Sequence, residues 1–186
     1  VTPDHKNILK TPNIALTQYP LAQNLKKSFR VNVVLDNDVN LGTLAEQWLG
    51  VAQDCSNIIG IFIGTGVGGG IILNNRLFTG SQGAAAELGH MILDLNSSRQ
   101  SAGGYGTLEA LVSRRAIEQK IREAVKSGEK TIVSELSPGK LKVIKSKILS
   151  RALKKKDPVV LKVMNETCHI LGQACISLRH IFNPDM

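Results

Sequence analysis

No stretch of this chain is apolar for long enough to cross a bilayer, and its first residues carry no secretory hydrophobic region. A membrane-embedded or exported role is therefore not expected. Cysteine is equally sparse. Cys55, Cys168 and Cys175 are an odd set without Cys-x-x-Cys spacing, which argues against both a disulfide framework and a zinc knuckle. A reducing cytoplasm suits such thiols. No internal repeat or low-complexity tract is visible. Acidic residues are also outnumbered, leaving a formal charge of +8, so an anionic partner has to be considered.

That charge is concentrated in one place. Lys140, Lys142, Lys145, Lys147, Arg151, Lys154, Lys155 and Lys156 follow one another with no acid among them. Leu141, Ile144, Ile148, Leu149 and Ala152 recur between them at helical spacing, which reads as an amphipathic helix with a solvated basic face. The competing reading is a patch for nucleic acid or another anionic partner. Aromatic residues on which bases stack are missing from the stretch, so nucleic acid is not the expected partner.

What is present is glycine. Ile58 to Ile63 is an apolar run that enters Gly64-Thr65-Gly66-Val67-Gly68-Gly69-Gly70, five glycines in seven residues, and Ile71-Ile72-Leu73 leaves it. Such a segment lets a bulky anion approach the main chain and lets successive N–H groups point at it. Gly64-x-Gly66-x-x-Gly69 satisfies the dinucleotide-binding pattern on paper, but that pattern requires a helix afterwards. Here the β-branched exit, Asn74-Asn75 and a further short apolar run read as a strand and a hairpin turn. No Gly-Lys-Ser/Thr closes the loop, which excludes the Walker pattern. A protein-kinase glycine loop also lies between strands, yet no Val-Ala-x-Lys, His-Arg-Asp or Asp-Phe-Gly follows. Two readings remain: a β-turn-β phosphate loop, and a glycine-rich hairpin at a tight packing point.

Around the loop the chain reads as α/β, with strands in its first half and helices in its second. Its 186 residues can bury a core as one domain or as two small lobes. Pro3, Pro12 and Pro20 punctuate an irregular start, and a helix is expected over 21–29. Residues 31–35 read as a buried strand, and 41–49 as a helix with Glu46 and Gln47 outward and Trp48 and Leu49 inward. The segment 80–87 is small and flexible. One helix is expected from Leu108 to about Val125, and others over 130–136, 139–153 and 157–182.

Three polar clusters flank the loop. Asn37 and Asp38 follow the expected strand, where a carboxylate can take a proton from a hydroxyl nucleophile; the plainer reading is a turn and helix cap. Glu87 and His90, in Glu-Leu-Gly-His, can hydrogen-bond vicinal hydroxyls of a sugar, or simply be a satisfied pair. Glu109 stands at a helix start, where the dipole alone would favour it.

Taken in order, these clusters resemble the ROK family of sugar kinases and repressors. The residues that carry the resemblance are Leu35-Asp36-Asn37-Asp38-Val39-Asn40, Ile63-Gly64-Thr65-Gly66-Val67-Gly68-Gly69-Gly70, Gly83-Ala84-Ala85-Ala86-Glu87-Leu88-Gly89-His90-Met91, Gly106-Thr107-Leu108-Glu109-Ala110 and Phe182-Asn183-Pro184-Asp185. Thr11-Pro12-Asn13 is similar to a Pro-Asn segment of the family. The resemblance implies part of a two-lobed actin-like ATPase (ribonuclease H-like) fold, with 1–42 in the smaller N-terminal lobe and 43–186 in the larger C-terminal one. It implies an ATP-dependent kinase acting on a hexose or amino-sugar. Asp38 would be the base, and Asn37, Glu87, His90 and Glu109 would hold other sugar hydroxyls. Gly64, Thr65, Gly66, Gly68, Gly69 and Gly70 would face the phosphates of ATP, with Mg²⁺ bridging. Dimers or larger homo-oligomers are implied too.

The chain departs from the family pattern in two ways. Many members carry three cysteines that bind structural zinc with the histidine; Gln100, Ala102 and Thr107 occupy those positions here, so no zinc is expected. An Asp-x-Gly-Gly-Thr phosphate motif and a later glycine segment near the adenosine are also not among these residues. The chain therefore reads as a piece of a longer protein, weak or inactive as a kinase on its own. The alternative function is the sugar-sensing part of a ROK transcriptional repressor, with its DNA reader upstream.

Overall fold

In the computed structural model, which describes residues 1–2, 5–8, 16, 19–136 and 144–186, the chain divides into two compact units that do not follow sequence order. One comprises Val1–Gly60, Gly69–Ala86 and Pro184–Met186. The other comprises Ile61–Gly68 and Glu87–Asn183.

The first unit contains α1 (Leu21–Phe29) and α2 (Asp38–Leu49). Asn37 caps α2, its side chain accepting the N–H groups of Val39 and Asn40. A three-stranded sheet follows in the order β1 (Ile58–Ile63), β2 (Val67–Leu73), β3 (Arg76–Leu77). Residues 64–66 are too short for a crossover, so β1 and β2 form a hairpin, whose tip belongs to the second unit. Asn74 and Asn75 turn the chain from β2 into β3 with φ of 51° and 61°. Two positive values in succession are what a two-residue type I′ hairpin requires, and asparagine tolerates them. Leu73 then lies opposite Arg76 and Ile72 opposite Leu77, antiparallel. Ala52, Ile58 and Ile72 form one buried cluster of this unit, and Ile8, Ala22 and Leu35 another.

The second unit is mostly helical. After the short pair β4 (Gln100–Ser101) and β5 (Gly104–Tyr105) come α3 (Leu108–Val112), α4 (Arg114–Lys126), α5 (Ile132–Leu136), α6 (Ser146–Lys154) and α7 (Pro158–Phe182). Asp157 caps α7, with proline in its first turn, and Asn183 ends it in the left-handed conformation. Ile117, Ile121, Val133, Ile144, Ala152, Val160 and Val163 form one core; Val67, Leu108, Leu111, Val112 and Ala174 form a second. Among the described residues no helix is long and apolar enough to cross a membrane.

Four expectations need correction. Residues 31–35 are not a strand: of their groups Leu35 N–H bonds to the His5 carbonyl, and no ladder forms without a partner strand among the described residues. Trp48 and Leu49 are exposed at 77% and 70%, because α2 turns Asn40 and Thr43 inward and residues five and six positions beyond Thr43 leave that face. Glu46 is exposed as expected, whereas Gln47 is half-buried and donates to the Cys55 carbonyl and Asn75 Oδ1. The expected helix from Leu108 breaks at Ser113, which takes an extended ψ of 162° and caps α4 through Ala116 N–H.

The basic segment forms a helix only over α6. Lys140, Leu141 and Lys142, like Pro3 and Thr11-Pro12-Asn13, lie outside the described residues. Lys145, Lys147, Arg151, Lys154, Lys155 and Lys156 are exposed while Ile144 and Ala152 are buried, the pattern of a solvated basic face.

Candidate functional site

Val67 is where three of the sequence clusters meet, through residues 64–68, 87–90 and 109 of the second unit. Its N–H donates to Glu109 Oε2 at 2.9 Å. Its carbonyl lies against Gly89, where an added Cβ would sit 2.1 Å from the oxygen. The glycine of Glu-Leu-Gly-His is therefore a steric requirement, since it lets the 3₁₀ turn Leu88–His90 approach the start of β2. Glu87 and His90 project from the two ends of this turn, both exposed, with Nε2 of His90 3.9 Å from Oε2 of Glu87. Ala86, immediately before, has φ of 64°, a left-handed value that strains an alanine.

Main-chain pairing ties this turn to Glu109. Ile92 and Thr107 form an isolated antiparallel bridge, flanked by Leu93 N–H to Gly106 O (2.9 Å) and Leu108 N–H to Met91 O (2.8 Å). Gly106 can enter that pairing only without a side chain: its φ is 64° and a Cβ would fall 1.8 Å from the Asp94 carbonyl oxygen. Thr107 caps α3 through Ala110 N–H, which sets Glu109 in the first turn.

The glycine loop is held from the other side by α4. Arg114 N–H donates to the Gly64 carbonyl at 3.0 Å. The Arg114 guanidinium turns elsewhere, to Glu118 Oε1 at 3.0 Å, Ser146 Oγ at 2.6 Å and the Ile144 carbonyl. Sequence reasoning passed over Arg114. The clue to it is that a cation in a helix's first turn opposes the dipole and so needs partners elsewhere.

None of the five loop glycines has a left-handed φ. The surroundings of Gly64, Gly66 and Gly70 differ. At Gly66 a Cβ would fall 2.3 Å from Glu109 Oε2, and at Gly70 2.1 Å from Thr43 Oγ1, so both serve close packing. Gly64 has nothing within 4 Å of that position. An open α-carbon at a loop that packing does not explain fits the close approach of a phosphate.

Asn37 and Asp38 belong to the first unit. Both are exposed, Asn37 as the cap of α2 and Asp38 as its first residue. Their turn is organised by Asp36, which sequence reasoning did not single out. Its carboxylate accepts Asn40 Nδ2 at 2.8 Å and Asn37 N–H at 2.7 Å, and stands 3.5 Å from His5 Nδ1.

Of the zinc set that the resemblance implies, only His90 is present, and the three thiolates have no counterpart in donor chemistry. Thr107 Oγ1 is committed to Ser101 Oγ at 2.8 Å and to the α3 cap, while Ala102 has no donor atom in its side chain. Gly103 lies where a Cβ would be 2.2 Å from His90 Nδ1, so the imidazole packs on this loop directly. These residues do not fit a zinc ion.

A model of the ROK family matches residues 1–186. The chain is 34% identical over 167 residues to a glucokinase of Thermotoga maritima, covering 90% of this chain and 52% of the glucokinase. It is 31% identical over 185 residues to a putative xylose repressor of a Caldicellulosiruptor species, covering 96% of this chain and 44% of the repressor. Among solved structures it is similar to a ROK family glucokinase from Streptomyces griseus in complex with glucose and AMPPNP. There the TM-score is 0.83 at 29% identity, over 99% of this chain and 60% of that one. The chain spans about half the length of the curated relatives it matches. Its α/β architecture is part of an actin-like ATPase fold.

Proposed function

The chain belongs to the ROK family, and we propose that it is part of an ATP-dependent kinase that phosphorylates a hexose or amino-sugar. The observation that carries this reading is the meeting of the glycine loop, the Glu87–His90 turn and Glu109 around Val67. A phosphate loop and a cluster of sugar-type acceptors and donors then share one neighbourhood.

In this reading Gly64, Thr65, Gly66, Gly68, Gly69 and Gly70 face the nucleotide phosphates, with Gly64 offering the open approach. Mg²⁺ bound to ATP would supply neutralisation of charge on the phosphates. Glu87, His90, Glu109 and Asn37 hold sugar hydroxyls. Asp38, exposed at the head of α2, takes the proton of the reacting hydroxyl as its oxygen bonds to the γ-phosphorus and ADP leaves. In the whole kinase residues 1–42 belong to the smaller lobe and 43–186 to the larger. The working compartment is the cytoplasm and the assembly a homo-oligomer.

The second reading is the sugar-sensing part of a ROK repressor, supported by the identity to the putative xylose repressor. Both readings require sugar binding; they differ in turnover. Calorimetric titration of this chain with glucose, mannose and N-acetylglucosamine is expected to show binding to at least one, weakened at least tenfold by Glu87→Ala. Failure of all three to bind would sink the hexose and amino-sugar kinase reading. Phosphoryl transfer from ATP to sugar should be weak in this chain and robust in the full-length protein, where Asp38→Asn abolishes it. A full-length protein that binds sugar and DNA without turnover would establish the repressor instead.

A further inference from the structure

Glu109 is more than a candidate for a sugar hydroxyl. Its Oε2 accepts the Val67 N–H at 2.9 Å and lies so close to the Gly66 α-carbon that a Cβ there would be 2.3 Å away. One carboxylate oxygen thus fills the inside of the glycine turn, while Oε1 accepts no hydrogen bond from any described residue. The support behind it is firm. Glu109 sits in the first turn of α3 behind the Thr107 cap, and its carbonyl accepts Ser113 N–H at 3.1 Å. The next residue, Arg114, holds the Gly64 carbonyl through its own N–H at 3.0 Å. The α3–α4 corner therefore grips the turn at two points, residues 64 and 67.

We propose that Glu109 is a positioning residue of the phosphate loop: Oε2 fixes the Val67 N–H and the Gly66 main chain, and Oε1 is left for a ligand hydroxyl. The loop function rests on the kinase reading above, but the brace itself does not. A glycine-rich turn without such a brace samples many conformations, and its N–H groups would have to be ordered each time an anion binds. A carboxylate acceptor that packs against Gly66 removes that disorder beforehand, at a point where no other side chain reaches the turn by hydrogen bond among the described residues.

The test separates the brace from the function. Amide hydrogen exchange is followed across residues 62–70 in the wild type, Glu109→Ala and Glu109→Gln, and AMPPNP affinity is measured in parallel on the same proteins. Glu109→Ala is expected to speed exchange at Val67 at least tenfold, with the change confined to the turn and to α3. Glu109→Gln keeps an acceptor of the same reach and should stay within about threefold of the wild type. Unchanged exchange in Glu109→Ala, or equal acceleration in Glu109→Gln, overturns the brace. If the wild type binds AMPPNP, Glu109→Ala should weaken it at least tenfold and Glu109→Gln should restore most of the loss; equal affinity in all three overturns the positioning role. A wild type that does not bind AMPPNP at millimolar concentration overturns the role in nucleotide binding for this chain, while the exchange result still decides the brace.

Discussion

Asp185 Oδ2 accepts the main-chain N–H of Asn57 at 2.8 Å, and the same oxygen takes Ser56 N–H at 3.0 Å. Beside this pair Ile59 N–H donates to the Met186 carbonyl at 3.0 Å, so the residues after Asn-Pro line up against the start of β1. The hydrogen bonds from Asn57 and Ser56 hold the Asp185 carboxyl below its ordinary value. A depressed carboxylate pKa means that the stabilising contribution is present above the unfolded value and is lost as pH falls through the folded one. Asp185→Ala should therefore melt below the wild type at pH 7, with the gap closing as pH falls below about 4. A gap that stays constant down to pH 2.5 in thermal scans would contradict the assignment.

Asp157 joins the starts of α5 and α7 in the second unit. Its carboxylate accepts Thr131 Oγ1 at 3.0 Å, Ile132 N–H at 2.8 Å and Val160 N–H at 3.0 Å while 4% exposed. Asp157→Ala removes the α7 cap and leaves buried donors unpaired, a loss of about 2–4 kcal/mol in denaturant unfolding. Thr131→Val should cost less, and the double variant should fall short of the sum because the two share a bond.

The loop glycines should respond unequally to alanine. At Gly70 the new methyl meets Thr43 and α2, an overpacking cost of about 1–3 kcal/mol. Gly64→Ala has open space and no left-handed φ, so stability should change by less than about 0.5 kcal/mol. AMPPNP affinity should nevertheless fall at Gly64, since the methyl occupies the approach to the main chain. Equal affinity in Gly64→Ala and wild type would return the loop to plain packing.

Metal analysis of purified protein should find no stoichiometric zinc, and EDTA should leave the melting temperature unchanged. The Ser101–Thr107 hydrogen bond and the Gly103–His90 contact order the loop by packing and hydrogen bonding. Thr107→Val breaks that bond and the α3 cap together, and should lower stability by about 1–2 kcal/mol. Equimolar zinc, or a melting temperature that EDTA lowers, would show a ligand set these side chains do not supply.

Much of this was legible in the chain because the controlling interactions are local. Asp157-Pro158 starts α7 and Asn183-Pro184 ends it; Asn74-Asn75 makes a type I′ turn; the β-branched exit from Gly70 forces a strand where a dinucleotide fold needs a helix. Capping, φ preference and β-branching act within a few residues, so sequence alone determined these elements and, through their order, the family. The fate of residues 31–35 and the exposure of Trp48 and Leu49 were not legible, because a strand needs partners and a helix face needs something to cover it. Nor was the service of Glu109 to Val67, forty-two positions away, or the space that Gly89 and Gly103 leave for Val67 and His90. Those relations follow from which main-chain atoms come within hydrogen-bond or van der Waals reach, and only the tertiary structure decides that.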